Sequence, residues 1–280
     1  MATHRSMLEA LQFPFAWRAL VAAVLGGAVC GIVGVWVIMM NIPFVGVALS
    51  HAAFAGAVLG LLLHTNPLLT AIIFCILASI LIGPIAERAD VEPNLSLGII
   101  FSIMLGLAFL GIGLIKGPRT EALRFLWGNI LLVAPADRLL MTLMTTLVLG
   151  FLFVFYKEIK AVLFNREIAR AVGIPERPLF FAMLLLCGLA LTANLNTIGG
   201  LLVFSLIINL SSAAYQLTWR LGTMFLLSVL FAVGSCLVGL LVSYLTDAPA
   251  GAVTVILSSI LFGLALLFSP KRRFRRTTLV

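Results

Sequence analysis

From Ala19 to Leu63 the chain carries a single charged or imidazole side chain, His51. About 20 apolar residues suffice for a helix to cross a bilayer, so this run is long enough to cross twice. The rest of the sequence continues in the same manner: of 280 residues, 62% are hydrophobic and 10% charged, and mean hydropathy is +1.22. A soluble core of this size cannot hide that much apolar surface. The chain is therefore predicted to be an all-α polytopic membrane protein. Nine candidate spans can be read, near 17–40, 44–63, 67–86, 95–115, 137–155, 178–194, 198–216, 221–245 and 250–268. If 17–40 does not cross fully, the number is eight. The apolar runs are continuous rather than alternating, which argues against a barrel. Glycines 26, 27, 31 and 34 give the first span one small face at helical spacing, the pattern of a packing seam.

Charge sets the expected orientation. Of the net +8, five positive charges lie in KRRFRR, Lys271–Arg276, which predicts a basic cytoplasmic tail over 271–280. Directly after a span such a tail is read as an anchor for anionic membrane lipid rather than a nucleic-acid site. The loop Tyr156–Arg177 has its own basic excess in Lys157, Lys160, Arg166, Arg170 and Arg177. Four spans separate it from the tail, so both fall on the cytoplasmic side. Counting back through nine spans puts the N-terminus outside, against which Arg5 and Arg18 argue mildly. The first residues lack a cleavable signal pattern.

The four cysteines, Cys30, Cys75, Cys187 and Cys236, lie in separate spans without paired spacing and read as packing thiols. There is no phosphate-binding loop, no HExxH, no nucleophile elbow and no carboxylate pair within the spans. The chain is thus not expected to be an enzyme, and active transport would draw on another subunit or an ion gradient. A gradient-driven carrier would need intramembrane acids, and Asp and Glu occur only at the span ends. The polar insertion after the fifth span contains FNREIARAVGI, which predicts a short amphipathic helix ended by Gly173 and Pro175. It suits a lipid-surface helix or a docking handle.

Several stretches decide between these. VGVALSHAAFAGAVLGLLL in the second span resembles the GDALSHAVLPG signature of the ABC-type zinc, manganese and iron permease family. In the same order, NLSLGIIFSIMLGLAFLGI, LWGNILLV, FNREIARAVGIP, IGGLLVFSLIINLSSAAYQLT and SYLTDAPAGAVTV resemble later segments of that family. The resemblance implies a single transmembrane permease domain over 1–280, with a coupling region at 156–177. It implies the membrane subunit of an importer in a prokaryotic inner membrane, taking a divalent metal ion (zinc, manganese or iron) into the cytoplasm by alternating access. No resident cofactor is implied, and ATP would act on a partner. The implied partners are a second, identical or related, permease chain, cytoplasmic ATPase subunits that grip the coupling helix, and an extracytoplasmic metal-binding protein.

Departures from the family pattern are as informative. Its aspartate one turn before the histidine is Val47 here, so an oxygen ligand and a negative charge are gone. What remains is His51 beside Ser50, with Ala55 and Gly56 leaving room. A buried neutral imidazole bonded to a carbonyl or serine is one reading. A transient metal ligand on the path, paired with its copy in a dimer, is the other. His64, at the end of the same span, could receive metal or be an ordinary interfacial residue. The family's proline in the seventh span is replaced by Asn209, followed by Ser211 and Ser212, which predicts a differently shaped span and a path-lining amide. Arg166, Glu167, Arg170 and Gly173 are the residues the resemblance assigns to ATPase coupling. Lys116, Arg119, Glu121 and Arg124 fall in the loop 116–135, expected outside and partly re-entrant. Val47 also leaves open a different cargo, a metal chelate or another small solute.

Overall fold

A computed structural model describes residues 14–88, 93–116, 119–128 and 133–271. Arg5, part of the 116–135 loop and the tail beyond Lys271 lie outside the described residues. The elements are α1 (Pro14–Met39), α2 (Val45–Leu62), α3 (Pro67–Arg88), α4 (Pro93–Leu114), α5 (Thr120–Trp127), α6 (Pro135–Val154), α7 (Tyr156–Phe164), α8 (Arg166–Ala171), α9 (Glu176–Asn194), α10 (Gly200–Ser205), α11 (Ser211–Leu217), α12 (Leu221–Thr246) and α13 (Ala250–Leu267). A single π-helical turn, Leu206–Leu210, joins α10 to α11. Among the described residues, seven helices are long and apolar enough to cross a membrane. Two shorter apolar stretches, Pro67–Ile82 and Leu202–Leu217, occupy the remaining predicted spans.

Polar side chains start and stop these helices. Asn66 begins α3, its Oδ1 accepting from the Leu68 and Leu69 N–H groups at 3.0 and 3.4 Å. Asp137 Oδ2 accepts from the Ala134 N–H at 3.1 Å and so holds the start of α6. Asn165 caps α8 through bonds from Glu167 N and Ile168 N at 2.9 and 3.0 Å. Gly173, at φ 83°, supplies the left-handed residue that ends it. The predicted short helix is therefore present, preceded by a separate helix, α7, in the stretch expected as loop.

The interior is built from α1, α2 and α9, and α2 is its centre. Of α2, 78% is buried, against 17% of α13 at the periphery. Because hydrocarbon tails are as apolar as leucine, close packing rather than water exclusion must hold such helices together. The glycine face of α1 provides it: a Cβ on Gly27 or Gly31 would lie 2.9 or 2.8 Å from the Cα of Val233 or Val229 in α12. At the same seam Ser228 donates to the Gly31 carbonyl at 2.8 Å and receives a bond from Ser211 at 2.8 Å. All four cysteines are free and buried, as packing thiols should be.

Candidate functional site

His51 sits on the second turn of α2 and is 8% exposed. Its Nδ1 lies 2.9 Å from the Val47 carbonyl oxygen. A carbonyl only accepts, so Nδ1 carries the hydrogen, and in a neutral ring Nε2 keeps its lone pair. The ring packs edge-on to Phe101 of α4, centroids 4.8 Å apart, and Phe101 meets Phe44 in the same manner at 5.5 Å. One aromatic contact, with Phe101 itself braced by Phe44, and a backbone bond thus fix the imidazole plane, the arrangement that orients a histidine ligand. Val47 is half-buried and contributes no donor. Among the described residues no group of three His, Cys, Asp or Glu side chains could hold a metal ion. One imidazole nitrogen is a weak, releasable ligand, which a path requires and a storage site does not.

The other predicted site residues are not gathered around this ring. Ser50 is buried without a hydrogen-bond partner for its hydroxyl, and its Cβ lies 3.8 Å from where a Cβ on Gly200, at the start of α10, would stand. Neighbours on a helix point about 100° apart, so Ser50 and His51 serve different contacts. His64 lies at the far end of α2, exposed and at φ 53°, about 20 Å from His51 along the axis at 1.5 Å per residue. Asn209 lies in the π-helical turn, where its Nδ2 donates to Ser258 and Ser259 of α13 at 3.0 and 3.1 Å. The span is interrupted at this residue by the π-helical turn. Local π geometry is a recurrent feature of functional membrane segments.

A second constellation lies where α8 turns into α9. Arg166 donates through Nε and Nη2 to Glu176 Oε2 at 3.0 and 2.7 Å. Arg170 donates through Nε to Glu176 Oε1 at 3.1 Å and pairs with the same oxygen through Nη2. The Arg166 guanidinium also lies 4.1 Å from the centre of the Phe180 ring. Glu176 is 2% exposed. Glu167, Gly173 and the apolar Phe164, Ile168 and Val172 face outward. Sequence reasoning singles out Arg166 and Arg170 but misses Glu176, the carboxylate they share. At the opposite end of the bundle it also missed buried Asp137, whose Oδ1 accepts from Asn196 at 3.0 Å. In both cases the only signal was an acid at a helix start.

A bundle of membrane-length helices with a fixed, nearly buried imidazole at its centre, and a short polar helix clamped to one end, defines a polytopic transport permease. The model of the ABC 3 transport family matches residues 12–269, and the chain belongs to that family. It is 31% identical over 264 residues to the manganese transport system membrane protein MntC of Halalkalibacterium halodurans, covering 94% of this chain and 90% of that one. It is 30% identical to the manganese import system permease protein ScaB of Streptococcus gordonii, covering 94% of each. Its structure resembles PsaBC from Streptococcus pneumoniae, solved in complex with Fab, with TM-score 0.86 and 27% identity, covering 97% of this chain and 98% of that one.

Proposed function

We propose that this chain is the membrane permease subunit of an ATP-driven importer of a divalent metal ion in a bacterial cell membrane, with His51 as a ligand on the path. The observation that carries the reading is the fixed His51 ring with an uncommitted Nε2 on the second turn of the most buried helix. Manganese is the first candidate cargo, because two of the relatives are named for its transport. The whole chain, 1–280, acts as one permease domain. A second permease chain completes the path, and an extracytoplasmic protein delivers the ion.

In this reading the α7–α8 end and the basic tail face the cytoplasm. Two cytoplasmic ATPase subunits bind the outward side of α8, where Phe164, Ile168 and Val172 are 61, 63 and 68% exposed. Apolar side chains so exposed in a polar loop mark a protein contact. ATP closes the partner subunits, α8 moves with them, and the permease halves exchange the side from which His51 is reached. The ion binds through a neutral imidazole and leaves readily because no carboxylate from this helix holds it.

The test is cellular metal content by elemental mass spectrometry in a deletion strain carrying wild type or His51→Ala at equal membrane expression. A rise in manganese, zinc or iron with wild type that disappears in His51→Ala supports both cargo and ligand. A rise with both chains returns His51 to packing. No rise with either overturns the metal reading and points to a chelate or another small solute, as the valine at position 47 would allow.

A further inference from the structure

Arg166 and Arg170 stand one turn apart on α8, and Glu176 and Phe180 stand one turn apart on α9. The four side chains fasten α8 along its length to the start of α9. Each carboxylate oxygen of Glu176 is taken by a different guanidinium, and Arg166 is held additionally by the Phe180 ring. A helix of six residues cannot maintain its own orientation, and the one residue of α8 that is buried is Ala169. On the other side α8 joins α7 through a single extended residue, Asn165, at φ −163° and ψ 115°. α8 is thus held on both sides, toward α7 by the Asn165 cap and by Ala169 packed with Val162, and toward α9 by the Glu176 clamp.

The α9 rod continues from that clamp into the interior. A Cβ on Gly188 would lie 3.4 Å from Leu49 Cδ1, two residues before His51, and against the Cys75 Sγ. Packed interiors transmit displacement rather than absorb it. We propose that Glu176 is the positioning residue through which displacement of α8 is conveyed to α9, and through α9 to the His51 turn of α2. This rests on the reading of the chain as an ATPase-driven permease. A buried carboxylate holding two arginines suits the role, because charge-assisted forked bonds fix orientation as well as distance.

The experiment uses the complete transporter, this chain with its ATPase and binding protein, reconstituted in proteoliposomes with Mn2+ as probe. The readout is Mn2+ taken up per ATP hydrolysed. Glu176→Gln keeps the shape and removes the charge. Uptake per ATP should fall about tenfold, the factor separating charge-assisted from neutral hydrogen bonds, with the ATPase still bound. An unchanged ratio overturns the proposal. So does loss of the ATPase from the complex, which would make Glu176 part of docking instead. If Glu176→Gln does not fold, Arg170→Gln reads the same ratio from the other side of the clamp. A wild-type complex that retains no ATPase and takes up no Mn2+, Zn2+ or Fe2+ overturns the functional reading, and the clamp with it; a change confined to the variants bears on the clamp alone.

Discussion

His51 keeps one ring nitrogen available because the other is committed to the Val47 carbonyl one turn back, a bond made by the backbone and therefore independent of the side chain at 47. Val47→Asp should preserve that bond while adding an anionic oxygen on the same face. Metal affinity then rises on the order of tenfold or more, as charged ligand count dictates, and transport slows because release slows. Metal retained by the purified variant after dialysis measures this, and retention equal to wild type would separate position 47 from the site. The imidazole was legible in the sequence because it is the one ionisable ring between Ala19 and Leu63, where every other side chain is uncharged. Glu176 was not, because its two partners reach it across the Gly173 turn, and a turn's direction is set by tertiary packing. Glu167, which is nearer in sequence to both arginines, was the obvious partner and instead faces outward.

The helices as elements carry two further consequences. Gly31 lies where α1 and α12 approach backbone to backbone. Gly31→Leu must push them apart, at a cost of about 1–3 kcal/mol or more, visible as a lower melting temperature in detergent; an unchanged melting temperature would mean that the seam can relax. On α8, Ile168 is 63% exposed and touches no core cluster. Ile168→Asp should leave the permease folded and weaken ATPase capture about tenfold or more, in the range of a buried contact residue. Capture equal to wild type would move the contact elsewhere. Helix existence and type were readable from continuous hydropathy, and the glycine face from its spacing. The π-helical turn at Leu206–Leu210 was not readable, since whether a span bends, kinks or bulges depends on what its freed carbonyls meet.

For the whole molecule, charge sets the expected orientation. Lys271 begins the basic tail, and its ammonium is 3.4 Å from the centre of the Tyr215 ring and 4.7 Å from that of Trp219. Partial burial there draws its pKa down from the ordinary lysine value. A cation among aromatic rings at the end of a span is an interfacial anchor. With the native cysteines all buried, Arg276→Cys should react with an impermeant thiol reagent only from the cytoplasmic side, and Glu121→Cys only from outside; the reverse pattern would invert the topology. The sequence by itself determined that this chain spans a membrane many times as helices, which of its ionisable groups lies within a span, and where the short polar helix α8 begins and ends. Those properties depend on solvent transfer and on local caps, which act within a turn or across one span. Only the tertiary structure decided that α2 lies at the centre, that His51 faces Phe101 while Asn209 faces α13, and that both arginines of α8 close on Glu176. Which face meets which neighbour is fixed by side-chain packing between segments far apart in the chain, and among helices apolar on nearly every side hydropathy does not distinguish the faces.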